Sequence, residues 1–146
     1  VAHVSQHGID LIKRFEGFKP MAYRDVGGVW TVGYGHTGPD VTEGLIITQQ
    51  MAEVLLAADL RRFEICVENA LHRDVNQEQF DALVSFAFNV GCGAFQKSTM
   101  LRHINAGDHD SAVAEFERWN KVGEREIEGL TRRRRAEADH YRRGTG

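Results

Sequence analysis

Glu16, Asp25 and Thr31 stand in the order Glu, eight residues, Asp, five residues, Thr. Two carboxylates and a hydroxyl are the groups needed to protonate a leaving oxygen and to activate a water. Glu16 falls in the last turn of a predicted helix, facing the negative end of its dipole, with Phe15 and Phe18 close by in sequence. Both surroundings are expected to favour a protonated carboxyl, the condition for a proton donor. An isolated Glu at a frayed, solvated helix end is the plainer alternative. The relation of Asp25 to Thr31 rests on a loop length. If Val26-Gly27-Gly28 is a three-residue hairpin loop with a left-handed glycine, Asp25 lies opposite Val29, and Asp25, Val29 and Thr31 share a face. A water is then held between Asp25 and Thr31. A two-residue Gly27-Gly28 loop puts the pair on opposite faces. The plainer alternative is an Asp that closes a turn and a Thr chosen for strand propensity.

The other reactive side chains point to structure. His36 has no His or Cys at ligand spacing, so it is expected to fix the glycine-rich strand through a hydrogen bond, and neither a metal nor a cofactor is expected. Cys66 and Cys92 form no C-x-x-C or Cys/His pattern; two buried free thiols are the first expectation, with a Cys66–Cys92 pairing left open. Arg132–Arg135 fan around a helix axis, so two face solvent while the others pair with acidic groups or lie over the core. No nucleic-acid role is expected. Net charge is −3 over 146 residues, with 9 Lys/Arg against 16 Asp/Glu in residues 1–117 and 9 against 5 after them. The longest stretch without a charge, Ala82 to Gln96, is too short and too polar to span a bilayer. Asp10, Lys13 and Arg14 interrupt the first apolar stretch, so no signal peptide or membrane anchor is expected.

The positioning elements follow from periodicity. Ser5 caps a helix with Ile9, Ile12, Phe15 and Phe18 at helical spacing, ended by Gly17 and Pro20. Ala22 to Gly38 alternates and carries glycines, reading as a small β-hairpin or meander. Thr48 caps a long helix with Met51, Val54, Leu55, Ala58, Phe63 and Val67 on its inner face. Asn76 and Gln79 form a capping box before an all-round apolar, buried helix. Shorter helices are expected at about Ser98–Asn105 and Ser111–Trp119, and a last one from about Thr131, with Gly144-Thr145-Gly146 a disordered end. The fold class is α+β, predominantly helical, in a single domain. Residues 15–47 make a small β-containing lobe, 48–70 a connecting helix and 71–146 a helical lobe, with helix 5–18 packing near it.

Phe15-Glu16-Gly17, Ala22-Tyr23-Arg24-Asp25 and Thr31-Val32-Gly33-Tyr34-Gly35-His36-Thr37 together resemble the catalytic lobe of phage-type lysozymes, the endolysin family. Phe86-Ala87-Phe88-Asn89-Val90-Gly91, Ala94-Phe95 and Ser98-Thr99 resemble the family's central helix and the turn after it. Arg118-Trp119, Gly129-Leu130 and Arg132-Arg133-Arg134 resemble its C-terminal segment. The resemblance implies a lysozyme-like fold. It also implies a muramidase that hydrolyses the β-1,4 bond between N-acetylmuramic acid and N-acetylglucosamine, with Glu16, Asp25 and Thr31 catalytic. Thr37, Phe88 and Ser98 take the family's sugar-contacting positions, and Tyr23, Gly33, Gly35 and His36 support the site. Its implied partner is the peptidoglycan strand. The protein is expected to act as a monomer without stable membrane insertion, to wait in the host cytoplasm, and to reach the wall through a holin-type permeabiliser. A lytic transglycosylase and a non-catalytic glycan-binding module are the rival readings. One departure is Val122 to Gly129, with three glutamates where a Gly-rich or Pro-containing loop is usual; these would repel an anionic strand.

Overall fold

A computed structural model describes residues 2–145 and divides the chain into two compact units. One is Ile12–Arg61; the other combines the described residues of Val1–Leu11 and Arg62–Gly146. The elements run α1 (Gln6–Glu16), β1 (Lys19–Arg24), β2 (Trp30–Gly33), β3 (His36–Thr37), α2 (Gln49–Ala70), α3 (Gln77–Val90), α4 (Cys92–Gln96), α5 (Thr99–Asn105), α6 (His109–Glu115), β4 (Lys121–Val122), β5 (Arg125–Glu126) and α7 (Glu128–Thr145), with a 3-10 turn at Phe116–Arg118. The α+β, predominantly helical class matches the sequence reading.

In the Ile12–Arg61 unit, β1, β2 and β3 form an antiparallel sheet in that order. Lys19 pairs with Gly33 and Tyr23 with Thr31, so β1 carries an irregularity between Lys19 and Tyr23. Val32, Tyr34, Ala22, Ile12, Val41, Ile47, Ala52, Leu56 and Leu60 are its buried apolar residues. Gly33 has a φ of 67°, and a Cβ there would stand 3.1 Å from both the Ala52 Cβ and the Ile47 Cδ1. The glycine thus lets β2 approach the start of α2 and supplies a conformation other residues resist. Ser5 Oγ accepts from the Gly8 amide and Thr48 Oγ1 from the Met51 amide, so both caps form as their residue types suggest. α1 stops at Glu16 because Gly17 turns left-handed (φ 73°) and donates its amide to the Lys13 carbonyl. Phe18 therefore lies beyond the helix rather than on its apolar stripe.

The inner face of α2 differs from the expectation. Met51, Val54 and Ala58 are exposed, whereas Ala52, Leu56, Leu60, Glu64 and Val67 are buried. Both sets have helical spacing; what selects the second is that it carries Ala52 against Gly33 and Glu64 under the N-terminal segment. Glu64 accepts the Val4 amide at 2.7 Å.

In the second unit α3 is the central helix, buried at every position from Gln79 to Ala87. Its capping box forms as read: the Asn76 side chain accepts from the Gln79 amide while the Gln79 side chain takes the Asn76 amide. Phe86 is edge-on to Phe95, Phe116 and Trp119. Asp81, fully buried, accepts from the Ser5 amide and hydroxyl, Gln77 and His140. Burial raises its pKa, but these donors outweigh burial and hold it below the usual carboxylate value.

The two cysteines are not free thiols. Cys66 and Cys92 form a disulfide, with Cα atoms 6.3 Å apart. Their separation of 26 residues contains no pairing signal; packing α2 beside the end of α3 brings them within bridging distance. Three local elements also depart from expectation. α4 forms directly after Gly91. The acidic segment folds into the β4–β5 hairpin, with Glu128 already in the first turn of α7, where the dipole favours a carboxylate and Arg132 pairs with it at 3.0 Å. α7 continues through Thr145, while Gly146 lies outside the described residues. The arginine run divides as read, with Arg132 and Arg135 exposed and Arg133 and Arg134 buried.

Candidate active site

Glu16, Asp25 and Thr31 all lie in the Ile12–Arg61 unit. Glu16 is the last residue of α1 and is half-buried. The Tyr34-Gly35 turn between β2 and β3 passes close to it: a Cβ on Gly35 (φ 83°) would stand 3.2 Å from Glu16 Oε1. Glycine thus leaves room for the carboxylate at a backbone conformation that only glycine adopts readily. Nearby, Phe18 packs on the buried Tyr34 ring at 5.7 Å, and Tyr34 Oη accepts from Gln49 at 3.1 Å. Lys13 pairs with Glu53 at 2.8 Å. These contacts tie the end of α1 to the sheet turn and to the start of α2.

The hairpin after β1 has the three-residue form. Arg24 pairs with Trp30 and Tyr23 with Thr31, the Asp25 amide donates to the Val29 carbonyl, and Gly28 is left-handed at φ 80°. Opposed residues of an antiparallel pair point the same way, so Asp25, Tyr23, Val29 and Thr31 share a face. Thr37, paired with Thr31 from β3, joins that row. The opposite face carries Ala22, Val32 and His36 toward the core and the Arg24–Trp30 stack.

Hydrogen bonds fix the directions in which these groups can act. Asp25 Oδ1 accepts the Val29 amide at 2.9 Å, the turn-closing bond that its residue type allows. The Thr31 hydroxyl donates to the Val29 carbonyl at 2.9 Å and is only 4% exposed. Its oxygen is thereby left as an acceptor toward any water beside Asp25.

His36 is hydrogen-bonded through both ring nitrogens, to partners that the sequence did not indicate. Nδ1 meets Asp59 Oδ2 at 2.8 Å and Nε2 meets Asp40 Oδ2 at 2.9 Å. Partial burial lowers its pKa, but the two carboxylates together raise it above 6.5. A group whose pKa is raised on folding adds stability that is complete below its unfolded value and fades as pH climbs through the folded one. The Tm advantage of the parent over His36→Gln should therefore be greatest near pH 5–6, roughly a unit below the unfolded pKa, and shrink as the solution is made alkaline. A constant difference from pH 5 to 9 in thermal melts would contradict the charged clamp.

Phe88 and Ser98 belong to the second unit. Phe88 is half-buried and edge-on to Phe63 at 5.3 Å. Ser98 is buried and caps α5, accepting from the Leu101 amide and donating to the Phe95 carbonyl, so both capacities of its hydroxyl already serve the fold. Among the described residues no group of His, Cys, Asp and Glu is arranged to hold a metal. None of their helices is long and apolar enough to cross a membrane.

The Ile12–Arg61 unit thus holds a helix-end glutamate beside a glycine turn, and an Asp and a Thr on one sheet face. The phage lysozyme family model matches residues 13–137, and the chain belongs to that family. The endolysin of Bacillus phage B103 is 47% identical over 137 residues, covering 92% of this chain but 52% of that protein. The endolysin of Acyrthosiphon pisum secondary endosymbiont phage 1 is 41% identical over 139 residues, covering 92% of this chain and 94% of its own length. The chain thus spans about half of the first relative and nearly all of the second. Among solved structures, the muramidase domain of SpmX from Asticaccaulis excentricus superposes with a TM-score of 0.91 at 36% identity, covering 97% of this chain and 98% of that one.

Proposed function

We propose that this chain is a muramidase that hydrolyses the β-1,4 bond between N-acetylmuramic acid and N-acetylglucosamine in peptidoglycan. The observation that carries the reading is the three-residue loop at 26–28, which sets Asp25 and Thr31 on one face of the sheet that also brings Gly35 up to Glu16. Glu16 protonates the glycosidic oxygen. A water donates one hydrogen to Asp25 and the other to Thr31 Oγ1, whose own hydrogen is committed to Val29. Its lone pair is then directed at the anomeric carbon, and Asp25 takes the proton as the new bond forms. Thr37, Phe88 and Ser98 contact the sugars in this reading, and Ser98 also caps α5.

A water between the two carboxyl groups calls for a separation of roughly 6.5–9.5 Å and an inverted product; about 5–5.5 Å would mean a covalent intermediate on Asp25 and retention. Proton NMR of the first turnovers on a defined glycan should show the α-anomer appearing before mutarotation. An initial β-anomer would replace the water mechanism by a nucleophilic Asp25, and anhydro-sugar products in mass spectra would assign the chain to the transglycosylase class. The same proposal has the protein act as a monomer on glycan strands, held in the host cytoplasm until a holin-type permeabiliser opens the way. The Cys66–Cys92 disulfide suits action in an oxidising compartment outside that cytoplasm.

A further inference from the structure

We infer that Tyr23 is a sugar-binding residue of this site, its ring forming a platform on which a pyranose of the glycan strand stacks; the inference rests on the muramidase reading above. Tyr23 is directly opposite Thr31 in the β1–β2 pair, and Thr31 is opposite Thr37 in the β2–β3 pair. The three side chains therefore form one row across the sheet, and Asp25 follows Tyr23 two residues along the same strand face. Within that row the two flanking residues are open to solvent while Thr31 between them is buried.

Tyr23 is 39% exposed, yet among the described residues its ring has no aromatic or cationic partner and its hydroxyl no hydrogen bond. The other aromatic residues of this sheet region are engaged. Trp30 lies on the opposite face under the Arg24 guanidinium at 4.9 Å, and Tyr34 is buried against Phe18. The core side of the sheet is already filled by Ala22 and Val32, so the Tyr23 ring takes no part in that packing. A tyrosine has an apolar face and a polar tip. A pyranose has the matching form, with a patch of C–H bonds on one face and hydroxyls around its rim. A ring on Tyr23 has Thr37 at the far end of the row for hydrogen bonding and Asp25 beside it for the water. Stacking there registers the strand against the Asp25–Thr31 pair.

The test uses the full chain carrying Glu16→Gln, so that a soluble glycan oligomer prepared from peptidoglycan is bound without turnover, with Kd read by calorimetry. Adding Tyr23→Ala should weaken binding about three- to tenfold, in the range of an aromatic contact, while Tyr23→Phe and Tyr23→Trp keep affinity within about twofold. In the active enzyme the Tyr23→Ala loss should fall on KM, and Tm should stay within about 2 °C of the parent, as for an exposed site. Unchanged Kd and KM in Tyr23→Ala would overturn the inference. So would a loss as large in Tyr23→Phe as in Tyr23→Ala, which would assign the effect to the hydroxyl, or a loss matched by a fall in Tm. If the parent releases no reducing ends from peptidoglycan, the muramidase reading has failed; if it does and Tyr23→Ala binds normally, only the platform has failed.

Discussion

Glu16→Gln is expected to release new reducing ends from peptidoglycan about 10²–10⁴ times more slowly than the parent, because it removes the proton that the leaving oxygen needs. The amide has nearly the shape of the carboxyl it replaces, so the approach of Gly35 to this side chain is preserved. Thermal stability and glycan binding should therefore change little. The measurement pairs a reducing-end assay with thermal melts of both proteins. Parent-like turnover in Glu16→Gln would remove Glu16 from the chemistry, and a collapse of Tm alongside the rate would make its role structural. Asp25 offers a second arm: Asp25→Asn keeps an oxygen for the Val29 amide but loses the base that accepts the water's proton.

The largest effect on stability is expected at Glu137, away from the proposed chemistry. Its side chain is fully buried between Arg133, at 3.2 Å, and Arg134, at 2.9 Å, and accepts the Ser85 hydroxyl at 2.5 Å. Arg133 also donates to the Ser85 carbonyl, and Arg134 donates to Asn89 while stacking over Phe86 at 5.0 Å. Burial pushes the Glu137 pKa up, and the two guanidinium groups oppose that push. Glu137→Leu removes the carboxylate that both buried arginines contact, a change expected to cost about 3–5 kcal/mol. For a chain of this size that corresponds to a Tm lower by roughly 10 °C. Replacing Arg133, Arg134 and Glu137 together by apolar residues of similar volume should recover most of the loss, since it is the orphaned charge rather than the missing pair that destabilises. Urea unfolding of the single and triple variants separates the two effects. A single variant within 1 kcal/mol of the parent would contradict the expected penalty.

The arginine run shows how far periodicity alone carries. Four successive residues on a helix must fan around it, so two buried and two exposed follows from geometry; Glu137 meets the buried pair from within α7, and that Ser85 joins them follows from α7 lying against α3. The catalytic spacing is legible in the same sense. The eight- and five-residue gaps around Asp25, the caps at Ser5, Thr48 and Asn76, and the glycines that close α1 and the hairpin are local features, each set by a few neighbouring residues. Local chemistry also left two hairpin loops possible, and strand register selected the one that brings Asp25 and Thr31 to a common face.

By itself the sequence determined the α+β class, the starts of α1, α2 and α3, the candidate acid and the candidate water-holding pair, because these depend on residue types a few positions apart. Only the tertiary structure decided the rest. It chose Ala52, Leu56 and Leu60 over Met51 and Val54 as the buried stripe of α2, joined Cys66 to Cys92, gave His36 its two aspartates and left Tyr23 open on the sheet. Each of those outcomes depends on which surfaces meet across long stretches of chain. Several faces with equally good helical or strand spacing compete for burial, and periodicity cannot rank them until a partner surface is in place.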